Sequence, residues 1–173
     1  ECRDALVLAS VAGQEFSPAL LERAAESGAA AFADGLHEAR AQRLVVVESR
    51  DSARFVHDLV REIVYEDLRP GVRARLHRRI ALAIEATQAA QLEPPLSALA
   101  YHFGRAVLGG DLAKAIRYAG FAGDRALGAL AFEEAAEHYD SVLGLLESML
   151  PLDGLAQCRA ELSAARAHFL CGR

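Results

Sequence analysis

The sequence predicts a mainly helical protein that carries one small β element near residue 50. Apolar residues recur at helical spacing along most of the chain, and glycine or proline interrupts them at short intervals. One stretch differs, because residues 44–48 form a β-branched apolar run that a polar turn at residues 50–52 separates from Phe55 and Val56. This pattern is typical of a β-hairpin, which we expect over residues 44–56.

Helices are predicted on both sides of the hairpin. The clearest start signal is Ser17 followed by Pro18, an N-cap with proline at the first helical position. Gly13 should end the helix before it, and Pro70 should end the helix after the hairpin. Three helices and then a hairpin is the order of a winged-helix domain, which we place at residues 1–70. Its helices are predicted at residues 4–12, 18–26, 31–42 and 58–68.

From residue 71 to residue 173 the pattern is purely helical. Helices joined by short breaks are expected to stack as antiparallel hairpins, which makes a solenoid rather than a closed bundle. Gly123, Ala135 and Tyr139 have the spacing of the small, small and aromatic positions of a tetratricopeptide repeat (TPR), although Ala119 stands where that repeat usually has a large aromatic residue. We therefore expect a TPR-like arm at residues 71–173. Its helices are predicted at residues 72–91, 96–108, 112–127, 131–150 and 154–170, with breaks at 93–95, 109–111 and 151–153.

Composition excludes several classes of function. No run approaches the roughly 18 apolar residues of a membrane span, and no signal peptide is visible, so a cytoplasmic protein without membrane contact is expected. The three cysteines lack CxxC spacing and the six histidines lack HxxxH spacing, so neither disulfides nor a metal site is expected. There is no Walker A loop and no nucleophile elbow, which predicts that the chain is not itself an enzyme. It begins with Glu1 and ends inside a helical pattern, so we expect it to be a piece of a longer protein.

Charge argues against a nucleic-acid interface. Residues 1–70 carry 8 Arg against 13 acidic residues, and such a surface should repel a phosphate backbone. DNA binding through the third helix and the hairpin is therefore only the third hypothesis. Residues 71–91, with 4 Arg against 1 acid, have the opposite balance and are either a solvated face or a domain-docking surface. The DNA-contact candidates are His37, Arg40, Gln42, Arg43, Arg50 and Arg54, and the basic cluster consists of Arg73, Arg75, His77, Arg78 and Arg79.

The junction between the hairpin and the next helix is the strongest candidate site. Leu59, Ile63 and Val64 recur at helical spacing, so this helix should begin near His57 or Asp58. A helix start offers unpaired N–H groups and a positive dipole end, which favour anions such as phosphate. The plainer alternative is a helix cap without a ligand, since Asp is a common residue there.

The residues at this junction resemble a known motif. The string Phe55-Val56-His57-Asp58-Leu59-Val60-Arg61-Glu62 is similar to the Met-His-Asp motif of the winged-helix domain in STAND signalling ATPases, with Val56 in place of Met. That class includes plant disease-resistance NLR proteins and bacterial MalT-like regulators. Further strings resemble the large ATP-binding LuxR-type regulators and some ATPase-linked nucleotidyl cyclases: Tyr65-Glu66-x-Leu68, Arg75-Leu76-His77-Arg78-Arg79, Leu99-Ala100-x-His102-Phe103 and Ala115-x-x-Tyr118-Ala119.

The resemblance implies a function in signalling. In that class the histidine contacts the β-phosphate of ADP in the resting state, and the neighbouring aspartate holds the local turn. These roles fall on His57 and Asp58. The chain would then be the regulatory region of a multidomain ATPase of the bacterial transcription-regulator kind, with ATP or ADP and Mg bound by an upstream ATPase core rather than by this chain.

Two sets of surface residues complete the hypothesis. Arginines near the hairpin and on the next helix are candidates for docking on the upstream core, and polar residues between the packing positions of the arm are candidates for binding a protein partner or a small effector. The alternative function is a TPR-like protein-binding scaffold with no link to nucleotide. The docking candidates are Arg61, Arg75, Arg78 and Arg79, and the partner-surface candidates are Arg117, Asp124 and His138.

Overall fold

The computed structural model describes residues 1–88, 94–149 and 154–172, and the chain divides into two compact units, Glu1–Ala90 and Gln91–Arg173. The predicted break at residues 151–153 and the first residue of the predicted break at 93–95 lie outside the described residues. In the part of the chain that the structure covers, no helix is long and apolar enough to cross a membrane.

Unit 1 is helical with a small sheet, as the sequence predicts. The cap signal at Ser17 is confirmed, because the backbone N–H of Leu20 donates to Ser17 Oγ at 3.2 Å. The stop at Gly13 is also confirmed: its φ of 136° lies in the region that side chains disfavour, and its N–H donates to the Ala9 carbonyl. The elements are α1 (Cys2–Ala12), β1 (Glu15–Phe16), α2 (Pro18–Ala24), α3 (Ala29–Ala41), β2 (Val45–Val47), β3 (Ala53–Phe55), α4 (Asp58–Glu66) and α5 (Pro70–Gln88).

The sheet is antiparallel with the order β1-β3-β2. The predicted hairpin forms from β2 and β3, with Val45 opposite Phe55. Strand β1 was not predicted. It pairs Glu15 with Arg54 on the other edge of β3, and it brings the Phe16 ring to 5.8 Å from the fully buried ring of Phe55.

Helix α5 belongs to unit 1 rather than to the helices that follow. It packs against α1 and α2, and it buries residues along a continuous face. Unit 1 therefore extends past the predicted boundary at residue 70. The sequence did not indicate this, because periodicity shows which face of a helix is buried but not which neighbour buries it. Including α5 gives unit 1 12 Arg against 14 acidic residues, so its net charge is −2 rather than the −5 of residues 1–70. The buried residues of α5 are Ala74, Leu76, His77, Ile80, Ala81, Ala83 and Ile84.

Unit 2 is built only of helices in its described residues. Each helix packs mainly against the next one along the chain, which is the neighbour relation expected of successive helical hairpins. Its two ends differ in packing: the Phe103 and Tyr118 rings stack at 5.4 Å, whereas the α8–α9 contact is made largely by alanines with Tyr139. The elements are α6 (Leu96–Arg105), a 3₁₀ turn (Val107–Gly109), α7 (Leu112–Gly128), α8 (Phe132–Glu147) and α9 (Gly154–Leu170).

The two glycine positions that matter for packing are in different units. A Cβ on Gly35 would lie 2.5 Å from the carbonyl oxygen of Glu1, and a Cβ on Gly123 would lie 2.8 Å from Cε1 of Tyr139. The second contact joins two of the three residues from which a TPR-like arm is predicted. The mainly helical class with a small antiparallel sheet is confirmed, while the winged-helix and TPR-like assignments stay predictions.

Candidate functional site

His57 occupies the start of α4, where the sequence placed the strongest candidate site. It is the N-cap residue in an extended conformation (φ −133°, ψ 130°), and its carbonyl accepts from the Val60 N–H at 3.1 Å. Its imidazole makes no hydrogen bond to the helix start, and the side chain is exposed. The ring is therefore not used to cap the helix and is accessible to a ligand or a partner.

Strand β3 holds this junction in position. The Phe55 N–H donates to the Gln14 carbonyl at 3.0 Å, and Gln14 Nε2 donates back to the Phe55 carbonyl at 3.1 Å. One residue later, the Val56 N–H donates to the Leu44 carbonyl. Because the strand is bound on both edges up to Val56, the direction in which the chain enters His57 and α4 is well defined.

Asp58 is exposed and binds an arginine of its own helix. Its Oδ1 accepts from Arg61 Nε at 2.8 Å, a pairing of residues three apart. The carboxylate also lies in the first turn of α4, where the helix dipole favours negative charge. Asp58, a predicted nucleotide-sensing residue, is thus in contact with Arg61, a predicted docking residue. The Arg61 side chain is only 23% exposed and is paired within α4.

Helix α4 carries a feature that sequence reasoning missed. None of its residues is buried, and Leu59 and Ile63, one turn apart, are 63% and 61% exposed. Their helical spacing predicts the helix correctly but does not show that this face stays open to solvent. Beside it lies a mainly apolar groove of 730 Å³, the α1/α4 groove, lined by Cys2, Arg3, Leu6, Val7, Gln42, Ile63, Val64, Glu66 and Asp67.

The docking arginines on α5 differ in their surroundings. Arg75 is exposed and Arg78 is half-buried. Arg79 is held by α2 and the segment after it: its guanidinium donates to the Ala24 carbonyl and pairs with Glu26 at 2.9 Å. Burial lowers the pKa of Arg79, partly opposed by Glu26. Arg79 thus ties α5 to the rest of unit 1, whereas Arg75 remains available on the surface.

We expect this difference to appear as stability. Arg79→Met should lower the free energy of local opening of α5 and α2 by about 1–3 kcal/mol, because the Ala24 carbonyl and Glu26 lose their partner. Arg75→Met, one turn earlier on the same helix, should change it by less than about 0.5 kcal/mol. Amide hydrogen exchange on α5 measures both values. Equal effects of the two substitutions would contradict a structural role for Arg79.

The three partner-surface candidates do not share one groove. Asp124 accepts from Tyr139 Oη at 2.7 Å, and burial together with this bond raises the pKa of Tyr139 to about 12. Arg117 is exposed, with its guanidinium 4.9 Å from the centre of the Tyr118 ring. His138 lies elsewhere, in a 350 Å³ groove between α6 and α8, the α6/α8 groove, whose other lining residues are Ser97, Ala100, Tyr101, Gly104, Arg105, Glu137, Ser141 and Leu145.

His138 is the most distinctive of the three. Its Nε2 atom is inaccessible to water and lies 3.5 Å from Glu134 Oε1, within ion-pair distance but without hydrogen-bond geometry. A side-chain contact at this distance and without that geometry is weak. His138 Nε2 is therefore a buried, weakly paired atom, and the groups that the α6/α8 groove presents to solvent include the exposed Tyr101 ring.

The residues considered for DNA contact are partly engaged with acidic neighbours. Arg54 lies 3.4 Å from Glu48 and Arg50 lies 3.7 Å from Glu22, both within unit 1. Such pairs reduce the positive potential that a phosphate backbone needs. Within the residues that the structure describes, no group of three or more His, Cys, Asp or Glu side chains has the arrangement of a metal site, and Cys2, Cys158 and Cys171 are free thiols.

Comparison of the chain with family models, with curated proteins and with solved structures found no match. The resemblance to STAND ATPases therefore depends on the motif residues themselves.

Proposed function

We propose that this chain is the regulatory region of a multidomain STAND-type signalling ATPase, in which unit 1 senses the nucleotide state and unit 2 presents a surface to a partner or effector. The observation that carries the proposal is the position of His57. Its side chain is exposed at the first turn of a helix, in the string His57-Asp58-Leu59-Val60-Arg61-Glu62. A cytoplasmic, non-enzymatic role for the chain itself is part of the proposal.

The chemistry at the start of α4 fits one contact to a phosphate. An imidazole N–H and the unpaired N–H groups of the first helical turn are hydrogen-bond donors, and the dipole adds positive potential. The main binding groups for ADP or ATP and Mg would come from the upstream ATPase core, and His57 would add a contact only when unit 1 is docked on it.

The exposed face of α4 supports docking next to His57. Leu59 lies two residues after His57, and Ile63 lies one turn further along the same helix. A partner surface that covers these side chains removes apolar area from water, which stabilises the docked state by roughly 25 cal/mol per Å². Apolar α4 side chains would then dock beside His57, while Arg61 and Arg79 also make contacts within unit 1. Arg75 and Arg78 stay docking candidates.

His57→Ala in the longer protein tests the proposal. If His57 donates to a bound diphosphate only in the closed state, its loss selectively destabilises that state. A charge-assisted bond contributes roughly 1.5–3 kcal/mol, so the closed-to-open ratio should fall about tenfold or more. We expect weaker ADP retention and higher basal signalling, measured on the purified protein and in a reporter assay. His37→Ala, another exposed histidine of unit 1, is the matched control. Equal values for wild type and His57→Ala would contradict the proposal.

A protein-binding scaffold without nucleotide is the second candidate, and the α6/α8 groove favours it. That groove combines the exposed ring of Tyr101 with the Arg105 guanidinium, which lies 5.6 Å from the centre of that ring. A scaffold would depend on these residues and not on His57, so the His57→Ala measurement separates the two functions.

A further inference from the structure

Helix α9 exposes a row of large apolar residues. Leu155, Leu162 and Phe169 are 63%, 67% and 80% exposed, and each follows the previous one by seven residues. Seven residues fall about 20° short of two full turns of a straight helix, so these three side chains form one narrow stripe. The cost of leaving such a stripe in water predicts that something covers it.

The stripe is separate from the face that packs within unit 2. Ala160, Ala164 and Ala167 are buried, and the last two belong to the cluster that joins α9 to α8. At 100° per residue these alanines point to the side of α9 opposite Leu162. Helix α9 thus has two opposed apolar faces, of which unit 2 uses one.

The seven-residue pattern extends to the neighbouring positions. With the stripe at the a positions of a heptad, the d positions are Cys158 and Ala165, both exposed and both small enough to allow close approach of another helix. The e positions are Arg159 and Arg166, and one g position is Glu161, all three exposed. This is the residue distribution of a coiled-coil face.

The charged residues at the e and g positions favour one partner and one orientation of the helix pair. In a parallel pair of helices, a g residue of one chain faces the e residue five positions later in the other chain. Glu161 of one copy would then face Arg166 of a second copy, and the two-fold axis would repeat the pair. In an antiparallel pair, e residues face e residues, which would bring Arg159 close to Arg166 of the other copy with like charges. The face is therefore complementary to itself in the parallel arrangement.

We propose that α9 is a self-association surface, on which two copies of this chain pair as a short parallel coiled coil. The helix has 17 residues, about two and a half heptads, fewer than the three to four that usually mark a stable coiled coil. The dimer is accordingly weak and reversible. It goes beyond the proposed function, because it requires neither nucleotide nor the start of α4.

Cys158 provides a direct geometric test. In the parallel pair, the two Cys158 side chains are opposite each other at a core position, whereas an antiparallel pair centred on Leu162 separates them by about 12 Å along the axis. We expect Cys2→Ala/Cys171→Ala protein, which retains Cys158, to form a disulfide-linked dimer in a glutathione redox buffer. The same background with Cys158→Ala is the control. Absence of a Cys158-linked dimer at concentrations where the protein is dimeric would overturn the parallel arrangement.

Sedimentation velocity tests the association itself. The dimer fraction should rise over about a hundredfold range of concentration, as mass action requires. Leu162→Glu should weaken dimerisation at least tenfold, while Leu108→Glu, which changes a 79% exposed leucine outside α9, should have no effect. Both sites are exposed, so neither substitution should unfold unit 2. A monomer throughout, or a dimer unaffected by Leu162→Glu, would overturn the proposal. The stripe would then be covered by another helix, either of a later segment of the longer protein or of a different protein.

Charge reversal distinguishes specific pairing of two copies from non-specific hydrophobic association. Glu161→Arg alone should weaken the dimer about threefold to tenfold, because two opposite-charge pairs become like-charge pairs. Glu161→Arg combined with Arg166→Glu should restore most of the affinity. If the double variant is no tighter than Glu161→Arg, these residues do not face each other and the proposed register is wrong.

Discussion

Gly123→Ala is expected to destabilise unit 2, although alanine is the better helix former. The new methyl group would lie 2.8 Å from Cε1 of Tyr139, closer than non-bonded carbon atoms approach, and 3.0 Å from Cζ. Tyr139 cannot simply move away, because the residue is only 4% exposed and its hydroxyl donates to Asp124. Overpacking of this kind costs about 1–3 kcal/mol, and over most of that range the cost exceeds the gain of about 1 kcal/mol in helix propensity.

Gly120→Ala is the matched control for that substitution. Gly120 lies on α7 three residues earlier, and a Cβ there would meet nothing within 4 Å. The control should therefore gain stability by about 0.5–1 kcal/mol. Urea unfolding followed by circular dichroism gives both values, and hydrogen exchange on α8 assigns the change to unit 2. If Gly123→Ala is as stable as Gly120→Ala, the close contact between α7 and Tyr139 does not exist.

His102 should make unit 2 sensitive to acid. Burial lowers the pKa of His102 from 6.5 to about 4, and the side chain is only 4% exposed. Between these two pKa values the unfolded chain binds a proton that the folded chain does not bind, so stability falls as the pH falls. This loss of stability begins as the pH falls below 6.5, is nearly complete at pH 4 and amounts to about 3 kcal/mol.

His102→Gln separates this effect from the titration of carboxylates. The glutamine is neutral throughout, so the variant should lose less stability than the wild type between pH 7 and pH 4.5, even if it is less stable at neutral pH. Unfolding free energies at several pH values, with hydrogen exchange on α6 to identify the unit, provide the comparison. Parallel pH profiles for the two proteins would show that His102 has an ordinary pKa.

The fold could be predicted from the sequence where the signal is local. The cap at Ser17 and the stop at Gly13 depend on a few adjacent residues, and both were predicted correctly. Strand β1 has two residues and pairs with β3 far along the chain, so no pattern within residues 15–16 could predict it. The same reason explains the unit boundary: α5 shows a regular apolar face, but its neighbours are α1 and α2, which periodicity does not identify.

The candidate site shows the same limit. The sequence predicts the helix start at His57 and the proximity of Asp58, since both follow from the change in periodicity. It did not reveal that Arg79 would be engaged by Ala24 and Glu26, because those contacts join residues more than fifty positions apart. Nor could it show that Leu59 stays exposed, because the spacing of apolar residues is the same for a covered and an uncovered face.

The place of α5 in unit 1 has a consequence for protein synthesis. The core of unit 1 includes His77, Ile80 and Ile84, so a nascent chain that has emerged only to Pro70 still lacks part of its own interior. The sheet adds a second requirement, since pairing of Glu15 with Arg54 closes a long loop, and loop-closure entropy increases by about 0.6 kcal/mol for each doubling of length. Unit 2 needs only neighbouring helices to meet. The unit that leaves the ribosome first is therefore the one whose folding depends on the more distant parts of its chain.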